Sequence, residues 1–362
     1  MLYHEAGQYK TTYAQDMALL PIAQERWSLA GLLVVAFVGV PSMAFLGIPP
    51  FDSDYVFSAI LLPFLILSLA ALGLNVLVGY CGQISLGSGA FMAVGAYAAY
   101  NTAVRLPELP ILVALLSGGV AAAAVGVAFG LPSLRIKGLY LAVATLAAQF
   151  FFDWLFLRVK WFTNYAPSGS VTAPPIDVLG FRLDASVERY LLVLTIVVLF
   201  AFGVKNLVRG AIGRQWMAIR DMDLAAEIIG IRPVYAKLTA FAVSSFIIGI
   251  AGALWAFAHL GSWEPLTFSI DRSFHLLFMV IIGGLGSILG AFLGTAFILL
   301  VPIVLSRLPA ALGTPLSTST ISHLETAVFG VLIIVFLIAE PLGLARLWSL
   351  AKEKLRLWPF PH

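Results

Sequence analysis

The sequence predicts an all-α integral membrane protein, a polytopic helix bundle of about 10 transmembrane helices. Three observations carry that prediction. Hydrophobic residues make up 61% of the 362-residue chain and charged residues only 11%, with a mean hydropathy of +0.99; a soluble domain has roughly a quarter of its residues charged. The apolar residues fall in continuous runs of about 20, the length a helix needs to cross a hydrocarbon core of roughly 30 Å. Those runs are rich in Leu, Ala, Val and Phe and do not alternate with polar residues, which excludes an outer-membrane barrel.

Taken in order, residues 1–28 are polar, with Glu5, Asp16 and Glu25, and lack the basic start and small-residue cleavage site of a secretory signal. They read as a cytoplasmic tail. A transmembrane domain follows over 29–340, with spans at about 29–47, 55–78, 83–101, 109–131, 138–157, 188–207, 238–260, 273–283, 287–305 and 322–340. The eighth is short for a bilayer and is expected to be broken or re-entrant. Two loops are long: 158–187, expected outside the membrane and ordered, and 208–237, expected inside. Residues 341–362 form a second cytoplasmic tail. With both termini inside, Lys10, Arg26, Arg135, Lys137, the six basic residues from Lys205 to Lys237 and the four from Arg346 to Arg356 fall on the inner side, against seven outside.

Topology accounts for the net charge of +3 and the pI near 9.0, because no basic cluster interleaves with aromatics as nucleic-acid binding requires. Cys81 is the single cysteine and forms neither an intrachain disulfide nor a Cys-pair metal site. No cofactor and no metal site are expected; His259 and His275 flank an outer segment without ligand spacing.

Two glycine-rich stretches, Gly79 to Gly89 and Gly283 to Gly294, fall in opposite halves of the chain. Small residues let membrane helices approach closely. The competing reading is a broken helix beside a pathway, its carbonyls and hydroxyls meeting a polar solute, within an inverted repeat. The candidate pathway residues are Gln83, Ser85, Ser88, Phe91, Thr145, Gln149, Gly284 and Ser287. Gln83 and Gln149 are costly in lipid and read either as pathway or as interhelical hydrogen bonds. Asp153 is expected to pair with Arg158 or Lys160 near the outer surface.

The inner loop concentrates charge on Arg214, Arg220, Asp221, Asp223 and Glu227, with apolar Trp216, Met217, Ile219, Leu224, Ile228 and Ile229 between. Asp223 to Ile229 reads as a short helix with Ala225 and Ala226 at small positions and Gly230 as its stop. Its apolar face lies on the membrane or in a groove of a cytosolic partner.

The stretch GRQWMAIRDMDLAAEIIGIRPVYAKLTAFAVSSFIIGIAGALWA, from Gly213, resembles the cytoplasmic loop and following helix of the permease subunits of bacterial ATP-binding cassette importers, in the branched-chain amino-acid family. LNVLVGYCGQISLGSGAFMAVGAYAA from Leu74, LRIKGLYLAVATLAAQF from Leu134, IIGGLGSILGAFLG from Ile281 and FGVLIIVFLIAEPLG from Phe329 are similar to further blocks of that family, in its order. Length and the long outer loop resemble the larger of its two permease types. The resemblance implies a coupling helix built on Arg214, Arg220, Asp221, Asp223, Ala225, Ala226, Glu227 and Gly230. It also implies as partners two ATPase subunits, a homologous second permease and an extracytoplasmic solute-binding protein, in the bacterial cytoplasmic (inner) membrane among its lipids. The cargo it implies is a branched-chain amino acid or a related small polar or organic-acid solute. No Gly-Lys dipeptide occurs, so the phosphate-cradling loop of an ATPase is missing and hydrolysis is expected on a separate subunit. An ion-coupled transporter or channel working alone is the alternative; it needs ionisable residues at mid-membrane depth. No nucleophile and base pair for an intramembrane enzyme is evident.

Overall fold

The computed structural model describes residues 12, 23–47, 54–133, 140–166, 169–178, 180–311, 340 and 342–357, with single residues and short pieces between 324 and 338. Helix α1 runs Ala23–Val34, passes through a π-helical turn at Val35–Gly39 and continues as Val40–Phe45. Helix α2 opens with a π turn at Val56–Leu61, continues as Leu62–Asn75 and closes with a second π turn at Val76–Tyr80. Then come α3 (Ser88–Arg105), α4 (Ile111–Ser133), α5 (Tyr140–Arg158) and α6 (Ser186–Arg209). The short α7 (Ala211–Asp221) and α8 (Asp223–Ile228) precede α9, which is Pro233–Leu254 extended by a π turn at Trp255–Leu260. A 3-10 turn at Pro265–Phe268 leads into α10 (Ile270–Gly283), followed by α11 (Ile288–Ala311) and α12 (Gly343–Leu357). Strands β1 (Val171–Thr172) and β4 (Ser262–Trp263) pair antiparallel, as do β2 (Asp177–Val178) and β3 (Phe181–Arg182).

The chain is an all-α polytopic membrane protein: eight helical stretches among the described residues are long and apolar enough to cross a bilayer. Of the tenth expected span, 322–340, the structure describes only single residues and short pieces. Two expectations are corrected. In the span expected at 83–101, residues 82–87 are unwound and the helix starts at Ser88. The eighth span is longer than expected: with its 3-10 turn it covers Pro265–Gly283, 19 residues. Asp271 and Arg272 make its first turn resemble a loop in sequence, although both are helical.

Helix α9 is the centre of the bundle, packed on α2, α3 and α4. A Cβ added to Gly95 of α3 would fall on the Gly249 carbonyl of α9, and one on Gly249 would strike Ala122 of α4. Glycine at these sites is what lets three backbones close up, since membrane helices associate through packing rather than through expulsion of water. Helix α2 is the second centre and carries α10 and α11 in the same way.

Direction relates these two groups. Helix α2 ends beside α7, at the end of the bundle that also carries α8 and α12, whereas α9 starts there and ends beside β1 and β4. Each closes in a π turn followed by a glycine of positive φ, Gly82 at 71° and Gly261 at 70°. That left-handed geometry is open to glycine at little cost and turns the chain back into the bundle. Each then leads into a further helix, α3 through an unwound stretch and α10 through β4 and a 3-10 turn. The two groups thus run in opposite directions and share a π turn closed by a left-handed glycine. The counterpart of Gly82 to Gly89 is Gly261 to Ser269, and not Gly283 to Gly294, whose similarity is one of composition only.

Candidate translocation pathway and coupling surface

Gln149 lies midway along the 19-residue α5, with no exposed surface. Its Oε1 accepts from the Ala90 amide (2.6 Å) and the Ser273 hydroxyl (3.0 Å), and its Nε2 donates to the Phe268 carbonyl (2.9 Å) and to Asp153 Oδ1 (3.0 Å). Ser273 Oγ in turn accepts from the Gly89 amide at 2.7 Å. One side chain thus ties α5 to the amino ends of α3 and α10, whose first N–H groups have no partner within their own helices. Thr145, one turn earlier, accepts from the Leu86 amide at 2.9 Å and donates to the Ala142 carbonyl, holding the unwound stretch. Asp153 takes its hydrogen bond from Gln149 and, among the described residues, forms no ion pair with Arg158 or Lys160, contrary to expectation.

The remaining pathway candidates divide. Ser85 accepts the Gly87 amide at 3.4 Å, while both polar atoms of Gln83 and the Ser88 hydroxyl are buried without a partner. Phe91 is core: it packs edge-on against Phe241 with ring centres 5.7 Å apart. Gly284 and Ser287 sit with the loop between α10 and α11. There Asn75 of α2 receives the Gly286 amide (2.9 Å) and donates to the Ser287 carbonyl (2.7 Å), while Ser287 Oγ accepts from Gly290. Gly284 adopts φ 119° against the Leu342 carbonyl at the start of α12.

This loop meets the charged end through Arg220. Its guanidinium donates to the Gly79 carbonyl, in the last turn of α2, at 3.0 Å and to Asp221 at 2.9 Å. Trp216, fully buried, donates to Thr239 Oγ1 at 3.1 Å and, with Ile219, docks α7 on α9. Lys237 of α9 pairs with Asp223 of α8 at 2.6 Å; half-exposed, that pair contributes about 1 kcal/mol or less. Arg214 donates to the Arg209 carbonyl.

The expected single apolar face resolves into two. Trp216 and Ile219 face inward, whereas Met222, Leu224, Ile228 and Ile229 project outward, Ile228 with 86% of its surface exposed. Ala226 is the buried small position and Ala225 and Glu227 are exposed. Gly230, at φ 93°, donates to the Glu227 carbonyl and the Ile231 amide to the Ala226 carbonyl, so the stop expected there is a two-bond helix cap.

At the opposite end the strands close the bundle. Trp263 is buried against the rings of Tyr97, Tyr100 and Phe257, and Tyr97 stacks on Phe156 at 4.4 Å. Sequence reasoning passed over Ser273 and this aromatic cover; Ser273 was hidden by the charges before it, and aromatics within apolar runs read as core. Arg272, one of the seven basic residues that the sequence places outside, immediately precedes Ser273 in the first turn of α10. Among the described residues no group of three or more His, Cys, Asp or Glu could hold a metal.

Comparison with known proteins bears on this geometry. Residues 56–337 match the family described as branched-chain amino acid transport system / permease component. The chain is 33% identical over 239 residues to the high-affinity branched-chain amino acid transport system permease protein LivM of Salmonella typhimurium, covering 60% of this chain and 56% of that protein. It is 34% identical, with the same coverage, to the Escherichia coli protein of that name. A third relative named LivM, from Methanocaldococcus jannaschii, is 26% identical over 79% of this chain and 92% of its own length. The chain thus spans just over half the length of the first two. No solved structure matches.

Proposed function

Because the chain belongs to the branched-chain amino acid transport system permease family, we propose that it is one permease of an ATP-driven importer of branched-chain amino acids. It would form half of the translocation pathway, with a homologous permease as the other half, two ATPase subunits and a solute-binding protein. The single observation that carries this reading is the outward apolar face of α8, Met222, Leu224, Ile228 and Ile229, set on a rigid mount. A membrane-surface helix needs only the apolar face. This one is also wired inward: Arg220 joins the same loop to the last turn of α2, and Asn75 joins α2 to the loop before α11. A push on α8 therefore reaches the end of α2, just before its unwound stretch, and the loop between α10 and α11.

The end carrying α7, α8 and α12 is the cytoplasmic face in this reading, and the 158–187 loop receives the binding protein. ATP binding by the partner pair draws the two α8 helices together. The small-residue contacts of α9 let the packed helices exchange between two arrangements, and substrate passes when the knot at Gln149 opens. The chain's own residues bind, seal and transmit; nucleotide chemistry belongs to the partner.

The test is co-purification. Leu224→Asp with Ile228→Asp should abolish recovery of the ATPase subunits with the membrane complex and ATP-dependent leucine uptake, while leaving the permease inserted. Full recovery of the ATPase with the double variant would overturn the docking assignment.

A further inference from the structure

Arg272 is a cation in an unexpected place. It precedes Ser273, whose hydroxyl bonds Gln149 of α5, and lies within Pro265–Gly283, a stretch apolar and long enough to cross a bilayer. An intramembrane ionisable side chain is costly and is retained facing a bundle interior or a water-filled passage. Among the described residues Arg272 has no carboxylate in ion-pair distance. What holds it is an aromatic face: its guanidinium carbon lies 4.6 Å from the centre of the Trp255 ring, itself 4.4 Å from the ring of His259. Stacking of this kind fixes the plane of the guanidinium and leaves its N–H edge open for a planar, two-oxygen acceptor.

A second donor beside it wants an acceptor: Trp255 is 5% exposed, and its indole N–H has no partner. The amino end of α10 adds partial positive charge. The packed side of α10 is Ser273, Leu276, Met279 and Val280, whereas Asp271 is exposed and His275 partly so, which is a polar strip on a membrane helix.

We propose that Arg272, with the Trp255 indole N–H, forms an intramembrane site that receives the carboxylate of the transported amino acid. The proposal rests on the amino-acid import reading above. Arg272 binds the two carboxylate oxygens side by side, Trp255 fixes the orientation of the guanidinium plane and adds a further donor, and Asp271 on the neighbouring position is an acceptor for the ammonium group.

The test uses the assembled complex in proteoliposomes. Arg272→Gln should lower ATP-dependent L-leucine uptake by about tenfold or more, the loss of a hydrogen-bonded charge partner, with the complex still assembling, and Arg272→Lys should lower it less. A second measurement stands without transport. With Cys81→Ser and His275→Cys, an anionic methanethiosulfonate should modify position 275 about tenfold faster than a cationic one. Arg272→Gln should erase that preference, and leucine should slow the reaction. Wild-type uptake by Arg272→Gln, or equal reaction with both reagents whatever stands at 272, overturns the carboxylate site. A wild-type complex that imports no leucine overturns the import reading instead, and the reagent preference still decides whether the anion site exists.

Discussion

Gln149 has four hydrogen bonds to three separate pieces of chain, with none of its surface in contact with solvent. Leucine at this position keeps the volume and orphans the Ala90 amide, the Phe268 carbonyl and the Ser273 hydroxyl together. Each orphaned buried group costs about 1–3 kcal/mol, so Gln149→Leu should destabilise the bundle by about 3 kcal/mol or more, read as a fall in thermal unfolding temperature in detergent. Ser273→Ala leaves the Gln149 links to Ala90 and Phe268 intact and should cost about 1–2 kcal/mol in the same assay. Comparable melting of the two variants would show that the knot is not shared through Gln149.

At the scale of elements, helix approach is set by absent side chains. Gly249→Leu would drive a branched side chain into Ala122 and the Gly118 carbonyl and separate α9 from α4; overpacking of this kind costs about 1–3 kcal/mol. Gly31→Ala in α1 is the control, because an added Cβ there meets nothing within 4 Å, and it should be neutral or slightly stabilising. Thermal unfolding of the pair checks the contrast; equal effects would deny α9 its central packing role. These elements were legible to different degrees. Long apolar runs such as Val56–Tyr80 declared themselves through composition alone. The start of α10 did not, because two adjacent charges, Asp271 and Arg272, read as a loop in sequence, and only the tertiary partners of Ser273 and Arg272 show that the helix begins there. The charged 208–237 loop was half legible. Gly230 marked the end of α8, but an apolar residue in an amphipathic run does not say whether it faces its own bundle, as Trp216 does, or projects from it, as Ile228 does.

For the whole molecule the testable property is sidedness. With cysteine placed at Glu227 and, separately, at Asp184 in the 158–187 loop, a membrane-impermeant thiol reagent should label the first only from the cytoplasmic face and the second only from the opposite face. Labelling of both from one face would overturn the topology. The candidate pathway was legible as a set of polar residues in apolar runs, since Gln83, Thr145 and Gln149 are all buried. Their division of labour was not, because a buried amide looks the same in sequence whether it is satisfied, as in Gln149, or bare, as in Gln83.

The opposed directions of α2–α4 and α9–α11 carry one more consequence. If the two groups can trade shapes, each taking up the bend the other has just given up, the bundle before and after the trade is the same object turned upside down. Its two mouths would then exchange open and shut at nearly equal energy, and a small bias applied at α8 would be enough to choose between them.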